Sequence, residues 1–293
     1  MKKHIRVGSR DSKLAIAQTM LVLDEIKKAN PDVELELITM KTTGDKILDR
    51  SLDKIGGKEL FVKELDKALL DGKIDIAIHS LKDLPMQVNP DIPVVGYSKR
   101  EDARDVMIIK AGCENSFESG IIGTSSKRRE IQLQKMYPNA KFKGIRGNVQ
   151  TRLNKLETQD YCATVLAMAG LKRLGMTNCI SRVFEVDEVI PACGQGILAI
   201  QARRDMDCSF LENVIDNNSY IAATAERAFT ATLDGGCSSP IAAYAKIQGQ
   251  DLVLRGLYYN EETKEYYTGI KKGNVNEAQK IGEKLAFELK NIH

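Results

Sequence analysis

Apolar and polar positions divide the chain into alternating strand-like and helix-like runs. Residues 5–7 read as a short strand entering Gly8-Ser9-Arg10, after which Leu14, Ala15, Ala17, Leu21, Val22 and Ile26 recur at helical spacing. A second strand is predicted over 33–40, a long polar, glycine-containing mobile loop over 41–58, a helix over 59–70 and a third strand over 74–78. That strand runs into His79-Ser80-Leu81-Lys82-Asp83-Leu84-Pro85. The alternation then restarts, with strands predicted over 106–109, 120–123, 140–143 and 163–167 and helices beginning near Ser126 and Asn148.

Strand and helix in repeated succession predict two α/β domains of similar design, each with a mostly parallel sheet covered by helices. Residues 183–200 are expected to carry the chain back to the first domain, which gives two crossings and a hinged cleft. The last part differs. A helix over 220–233, a turn over 234–240, strands over 242–247, 252–259 and 265–270 and a helix over 275–289 predict a small α+β domain built on a three-stranded antiparallel sheet. The expected division is therefore 1–97 with 191–214, then 98–190, then 215–293.

At 293 residues and 43% hydrophobic content the chain has material for several cores. The start is basic but lacks the apolar run of a secretory signal, and no stretch is long enough to span a bilayer, so a cytoplasmic protein without a membrane partner is expected. Six cysteines without a Cys-x-x-Cys pair argue against a disulfide framework or a thiolate zinc site and read mostly as buried packing residues. The three histidines, His4, His79 and His293, lie far apart, so no metal site is expected and an enzyme would depend on carboxylate, arginine, lysine or thiol chemistry. With 43 basic against 40 acidic residues, nucleic acid is a poor partner.

Against that near-neutral background arginine is concentrated locally, at Gly8 to Arg10, Thr124 to Arg129 and Arg146 to Asn148, beside glycines and hydroxyls. Guanidinium forks and exposed N–H groups at strand-to-helix turns bind carboxylates or phosphates, so the pattern points to a small polyanion. Each residue also has a plain reading. Ser12 is placed to cap a helix, Arg128 and Arg129 to lie solvated on a helix's first turn, and Asp83 to stabilise a turn before Leu84-Pro85. On the functional reading Asp83 sits beyond the carboxyl end of a strand, where open α/β sheets place ligands. Cys237, in Gly-Gly-Cys-Ser-Ser-Pro, is either an inert packing residue or a thiol that small neighbours let reach outward.

Seven segments together resemble the porphobilinogen deaminase (hydroxymethylbilane synthase) family: Gly-Ser-Arg-Asp-Ser (8–12), Gly-Gly-Lys-Glu-Leu-Phe-Val-Lys-Glu-Leu (56–65), His-Ser-Leu-Lys-Asp-Leu-Pro (79–85), Gly-Thr-Ser-Ser-Lys-Arg-Arg (123–129), Arg-Gly-Asn-Val-Gln-Thr-Arg-Leu (146–153), Gly-Gln-Gly (194–196) and Gly-Gly-Cys-Ser-Ser-Pro (235–240). The resemblance implies a monomeric, three-domain enzyme of haem and other tetrapyrrole synthesis. Its first two domains would be like periplasmic binding proteins, and its third would hold a dipyrromethane cofactor on Cys237 through a thioether. Four porphobilinogen molecules would add head to tail to that primer with loss of ammonia, and hydrolysis of the growing linear oligopyrrole would release the tetrapyrrole and leave the primer behind. Asp83 matches the family's catalytic aspartate. Arg10, Ser80, Lys82, Ser126, Arg128, Arg129, Arg146, Arg152 and Arg173 match residues that bind acetate and propionate groups, with Ser12, Thr124, Ser125, Gly147 and Gln195 in the same cofactor-binding set. Lys54, Lys58 and Phe61 match a mobile loop.

Every pyrrole ring of such a chain carries two carboxylates, which accounts for several guanidinium loops in a nearly neutral protein. Glu59, Lys127 and Cys193 depart from the family pattern, at positions where glycine, an apolar residue and an aliphatic residue respectively are common in relatives, and none replaces a residue with a proposed role. Two rival readings remain. A non-catalytic receptor for a carboxylated ligand leaves Cys237 without work, and a nucleic-acid binder requires salt-dependent retention on a polyanion.

Overall fold

The computed structural model describes residues 4–43, 59–233 and 240–292, the side chains of 59–61 excepted. The chain forms two compact units, Met1–Glu101 with Ile197–Tyr220, and Asp102–Gly196 with Ile221–His293.

In the first unit, strand β1 (His4–Arg10) leads to helix α1 (Lys13–Ala29), then β2 (Glu34–Met40), helix α2 (Glu59–Leu70), β3 (Ile76–Ser80) and β4 (Val94–Tyr97). The second unit contributes β5 (Asp105–Ile109), β6 (Ile121–Gly123), α3 (Lys127–Met136), β7 (Lys141–Lys143), α4 (Val149–Thr158), β8 (Ala163–Ala167), α5 (Met168–Arg173) and β9 (Arg182–Val183). Strand β10 (Leu198–Ala202) returns to the first unit, and α6 (Asn217–Thr232), β11 (Ala242–Gln248), β12 (Asp251–Asn260), β13 (Glu265–Asn274) and α7 (Ala278–Lys290) follow.

Both five-stranded sheets share one plan. Their orders are β2-β1-β3-β10-β4 and β7-β6-β8-β5-β9, and in each the fourth strand alone runs antiparallel to its neighbours. The odd strand is the returning one in the first sheet and the entering one in the second, so the two crossings of the chain build one mixed strand into each sheet. This is a mixed sheet where sequence pattern predicted a mostly parallel one, because β10 and β5 are apolar runs whose direction no periodicity encodes.

The first sheet is buried on both faces. Ile5, Val7, Ile76, Ile78 and Ile200 pack with Val22, Leu23 and Ile26 of α1, while Ala77, Ile74 and Ile92 pack with Leu65, Ala68 and Leu69 of α2. Leu21, expected on the apolar stripe of α1, is instead exposed, and Gln18 and Thr19 are buried. The second sheet has Leu133 against Met107, Ile122 and Val165 on one face and Leu156 and Leu171 against Val106, Ile108 and Leu166 on the other. The antiparallel β11-β12-β13 sheet is packed by Phe229 of α6 and Ile281, Leu285 and Leu289 of α7. It joins the rest of its unit through Ile190, Ala242 and Leu257.

Boundaries differ from the sequence reading at two informative places. Strand β1 continues through Arg10, so Gly8 lies inside a strand rather than in a turn. A Cβ there would come within 2.3 Å of Ile74 Cδ1 and 2.9 Å of Leu65 Cδ2, so this glycine lets α2 approach the sheet closely. The five described cysteines, Cys113, Cys162, Cys179, Cys193 and Cys208, are half-buried thiols rather than core residues. Among the described residues no helix is long and apolar enough to cross a membrane.

Candidate functional site

In the first unit, β1 and β3 run parallel, pairing Val7 with Ile76 and Gly8 with Ala77, and their carboxyl ends deliver Arg10 and His79-Ser80 to one place. A 3-10 turn, Leu81–Asp83, follows directly. It is anchored by buried Leu81 and Leu84 and by two backbone bonds: Leu81 N donates to Ile197 O at 3.0 Å and Leu84 N donates to Leu81 O at 3.1 Å. Asp83 thereby lines a small pocket of about 30 Å³, open to one side, with Arg10, Ala15, Gln18, Val62, Ile78, His79 and Ser80. The pocket lies at the carboxyl ends of parallel strands, the position where sheets of this kind bind ligands.

Two of its residues were not singled out from sequence. Gln18 is buried on α1, and its Nε2 donates to Ser80 Oγ at 3.0 Å, fixing that hydroxyl. His79 is 6% exposed, and its Nε2 is buried without a hydrogen-bond partner. Burial, then the charge of Arg10, push the imidazole pKa down to about 4, against the opposing pull of Asp83, so the ring is neutral near pH 7. The signal for Gln18 was a polar residue at a helix position that periodicity assigns to the core. For His79 it was an imidazole inside an apolar strand. Ser12 is engaged locally, accepting from Ala15 N at 3.2 Å as the N-cap of α1. Lys82 is half-buried beside Asp83 in the same turn.

The second unit gathers its polar residues around a different acid. Asp105, fully buried at the start of β5, accepts hydrogen bonds at Oδ1 from Arg129 Nη2 at 2.7 Å and Gln195 Nε2 at 2.8 Å, and its Oδ2 forms an ion pair with Arg128 Nη1 at 2.8 Å without a hydrogen bond. Arg128 Nη1 also donates to Ile190 O at 2.7 Å, Arg129 Nη1 donates to Val165 O at 2.9 Å, and both arginines are 6% exposed. Burial alone would raise the Asp105 pKa, but the two guanidiniums override it and hold the carboxylate well below its ordinary range. The solvated first-turn reading of these arginines is thus corrected: an internal acid draws them inward.

Around the start of α3, Thr124 Oγ1 accepts from Ser126 N at 3.2 Å and Ser125 Oγ donates to Ile145 O at 3.0 Å. Ser126 stands at the N-cap position without a side-chain capping bond. At the start of α4, Asn148 Oδ1 accepts from Thr151 N at 2.9 Å, and Gly147 has φ +114°, a region that L side chains rarely adopt. Arg152 Nε donates to Gly147 O at 2.8 Å, Arg146 is half-buried, and Arg173 Nη2 donates to Gly196 O at 2.7 Å. A further residue unseen from sequence is Glu226 on α6, buried and accepting from Gly194 N and Ala245 N, both at 2.7 Å. The Gly194-Gln195-Gly196 segment is therefore fastened by Glu226, Asp105 and Arg173 at successive residues. Lys54, Lys58 and Cys237 lie outside the described residues, and Phe61 falls in α2.

The chemistry of the pocket suits a ligand with acid arms and N–H donors: a guanidinium, an oriented hydroxyl, a carboxylate and an imidazole acceptor or donor converge there. Over residues 5–209 the sequence matches the family described as "Porphobilinogen deaminase, dipyromethane cofactor binding domain", and over residues 220–291 "Porphobilinogen deaminase, C-terminal domain". It is 55% identical over 285 residues to the porphobilinogen deaminase of Acetivibrio thermocellus, covering 97% of each chain. It is 52% identical over 288 residues to that of Ruminiclostridium josui, covering 98% of each. Among solved structures it is similar to the BenM effector binding domain with its effector benzoate, at 14% identity and a TM-score of 0.43 over 73% of this chain and 89% of that one. Matched in both of its parts, and at more than half of its positions in two curated relatives, the chain belongs to the porphobilinogen deaminase family.

Proposed function

We propose that the Arg10–Asp83 pocket binds the dipyrrole primer and the incoming ring, with Asp83 as the catalytic carboxylate. The activity of this chain is that of its family: four porphobilinogen molecules are joined head to tail with release of ammonia, and hydrolysis frees hydroxymethylbilane for tetrapyrrole synthesis. Cys237 would hold the dipyrromethane primer through a thioether, and the bound primer would supply the free pyrrole α-carbon for addition of the first ring.

The protein's own residues then have distinct tasks. As ammonia leaves the aminomethyl group of porphobilinogen, positive charge spreads into the ring, and the Asp83 carboxylate stabilises it while accepting the ring N–H. Inside a pocket walled by Val62, Ile78 and Ala15 that interaction is stronger than in water. Arg10 pairs with a ring carboxylate, and Lys82, Arg146, Arg152, Arg173 and Ser126 take the acid arms of the lengthening chain. Arg128 takes part through Nε and Nη2, the nitrogens its bonds to Asp105 and Ile190 leave over. Arg129, Gln195, Thr124, Ser125, Gly147 and Ser12 shape those loops; Lys54 and Lys58 add two cations for the acid arms, and Phe61 stands in the first turn of α2 rather than in a loop. The small three-stranded domain carries Cys237. The enzyme works as a monomer in the cytoplasm, a reading supported by unbridged half-buried thiols, which a reducing compartment preserves.

The observation that carries this reading is the convergence of Asp83, Arg10, Ser80 and Gln18 in one pocket. Intact-protein mass spectrometry of the chain made in a haem-producing host tests it. The expected result is an adduct of dipyrrole mass that is absent from Cys237→Ser, and an unmodified wild-type chain overturns it.

A further inference from the structure

The geometry points to a dithiol site at one end of the second five-stranded sheet, where Cys113 and Cys162 react with a small disulfide and close to a reversible intramolecular bridge. The site belongs to the second unit and shares no residue with the Arg10–Asp83 pocket.

Strand pairing and one tight turn set the two residues side by side. Strands β5 and β8 run antiparallel with Ile109 opposite Ala163, and the ladder continues one rung further, where Lys110 N donates to Cys162 O at 2.9 Å. The chain then turns back, and Cys113 N donates to Lys110 O at 3.0 Å. Cys113 is thereby folded over the residue that pairs with Cys162, and the two thiols are hydrogen-bonded, a contact that together with burial raises the Cys113 pKa. Sulfurs brought together from one rung and one turn are within the span a disulfide bridges. Gly120 supplies the room for this, since a Cβ there would stand 2.6 Å from Cys162 Sγ. Cys179, by contrast, gives its thiol proton to a carbonyl, Met176 O at 3.0 Å.

Both cysteines are half-buried, and Ala111, Gly112, Glu114, Asn115 and Ser116 around Cys113 are exposed, so a small reagent reaches Cys113 first. Its thiolate attacks one sulfur of a low-molecular-weight disulfide, which breaks the reagent's S–S bond and releases one thiol. The Cys162 thiolate then attacks the Cys113 sulfur of the mixed disulfide and releases the second thiol. Two protein thiols are oxidised, the reagent takes up the two electrons, and the two protons leave on the released thiols. The bridge ties the 110–120 segment to the start of β8 and constrains the unfolded chain, so the bridged form is the more stable one. Asp105 pairs with Ala167 at the other end of the same two strands, about 17 Å away at the rise of a β-strand, so the arginine cluster is left as it is.

Glutathione disulfide is the probe, applied to the full chain after incubation with porphobilinogen, with dithiothreitol as the reducing control. Remaining thiols are blocked with iodoacetamide and the peptides are mapped by mass spectrometry without reduction. One linked pair is expected, carrying Cys113 and Cys162, and dithiothreitol should separate it. Cys113→Ser and Cys162→Ser should each stop at a mixed disulfide with glutathione on the remaining partner. Oxidation should raise the wild-type melting temperature by several degrees, leave both variants where they were, and leave wild-type turnover unchanged. Glutathione retained singly on Cys113 or Cys162 of the wild type, a bridge to a different cysteine, or a bridged form that melts no higher than the reduced one overturns the inference. Loss of turnover on bridging overturns its separation from the arginine cluster. A chain that bridges normally but never acquires the dipyrrole mass would remove the pocket reading and leave the dithiol site standing.

Discussion

Two aspartates, one in each unit, stand beside strand ends in sheets of the same plan, and both have arginine nearby. Asp105 is sealed: Arg129 and the Gln195 amide donate to its Oδ1 at 2.7–2.8 Å, the Arg128 guanidinium lies in an ion pair 2.8 Å from its Oδ2, and it is fully buried. Asp83 is half-buried, lines a cavity, and has no hydrogen bond or ion pair on its carboxylate among the described residues. Saturation of an acid by fixed partners gives stability and removes its chemistry. An acid with open lone pairs beside a guanidinium retains its chemistry and adds little to the fold. The difference between these two groups is the difference between scaffold and site.

The sharpest way to break that comparison is to delete each carboxylate. Asp83→Ala is expected to lower kcat by about 10²–10⁴ with an unchanged melting temperature, the range for loss of one charge-stabilising or proton-handling group. Asp83→Glu should retain far more than Asp83→Ala, and near-normal rates in both would take Asp83 out of the mechanism. Asp105→Ala should do the opposite. It leaves two buried guanidiniums unpaired, at a cost of about 3–5 kcal/mol measured by denaturant unfolding. If Asp105→Ala unfolds at the wild-type midpoint, the sealed cluster is not what holds β5 to α3.

These predictions also show what was legible in the sequence. Strands β8 and β1 and helix α2 were readable because apolar runs and helical spacing are local signals. The site residues on β1 and β3 were readable because Gly-Ser-Arg and His-Ser-Leu-Lys-Asp carry their chemistry in a few contiguous residues. The partner of Arg128 and Arg129 was not readable. Asp105 lies 23 and 24 positions away from them on a different strand, and a guanidinium bound to an internal acid has the same local pattern as one waiting for a ligand. Glu226 was hidden for the same reason, since its acceptor role joins Gly194 to Ala245 across the chain. Short β4 escaped notice because Val94–Tyr97 contains a glycine and four residues give no period.

Acid should sharpen the comparison from another side. The His79 pKa falls from an ordinary 6.5 to about 4 on folding, so between those values the unfolded chain binds more protons than the folded one. The neutral imidazole's contribution is complete above pH 6.5 and is lost as pH falls toward 4, about 3 kcal/mol as an order of magnitude. His79→Leu should flatten the unfolding free energy over that window. Asp105, also shifted downward, loses its contribution only below the ordinary carboxylate range, so the two regions separate by pH. An identical acid slope in wild type and His79→Leu would assign the window to other groups. A smaller effect is expected from Gly147→Ala, at about 1–3 kcal/mol, because φ +114° is strained for alanine. Its Cβ would also stand 2.6 Å from Thr151 Cγ2.

The finest test compares two serines at equivalent places, the N-cap positions of α1 in the first unit and α3 in the second. Ser12 Oγ accepts from Ala15 N, whereas Ser126 makes no such bond and its backbone N–H is taken by Thr124 Oγ1. A cap that accepts an orphan N–H is worth about 1 kcal/mol, so Ser12→Ala should lower stability by that amount. Ser126→Ala should lower it by much less and should instead raise KM for porphobilinogen, since that hydroxyl, without a capping bond, stands at the N-cap of a helix whose start carries partial positive charge. Stability measured by chemical unfolding and KM measured by product formation therefore move in opposite residues. If Ser126→Ala loses as much stability as Ser12→Ala and keeps its KM, that hydroxyl is a cap like the first, and the ligand-facing role of the second helix start is wrong.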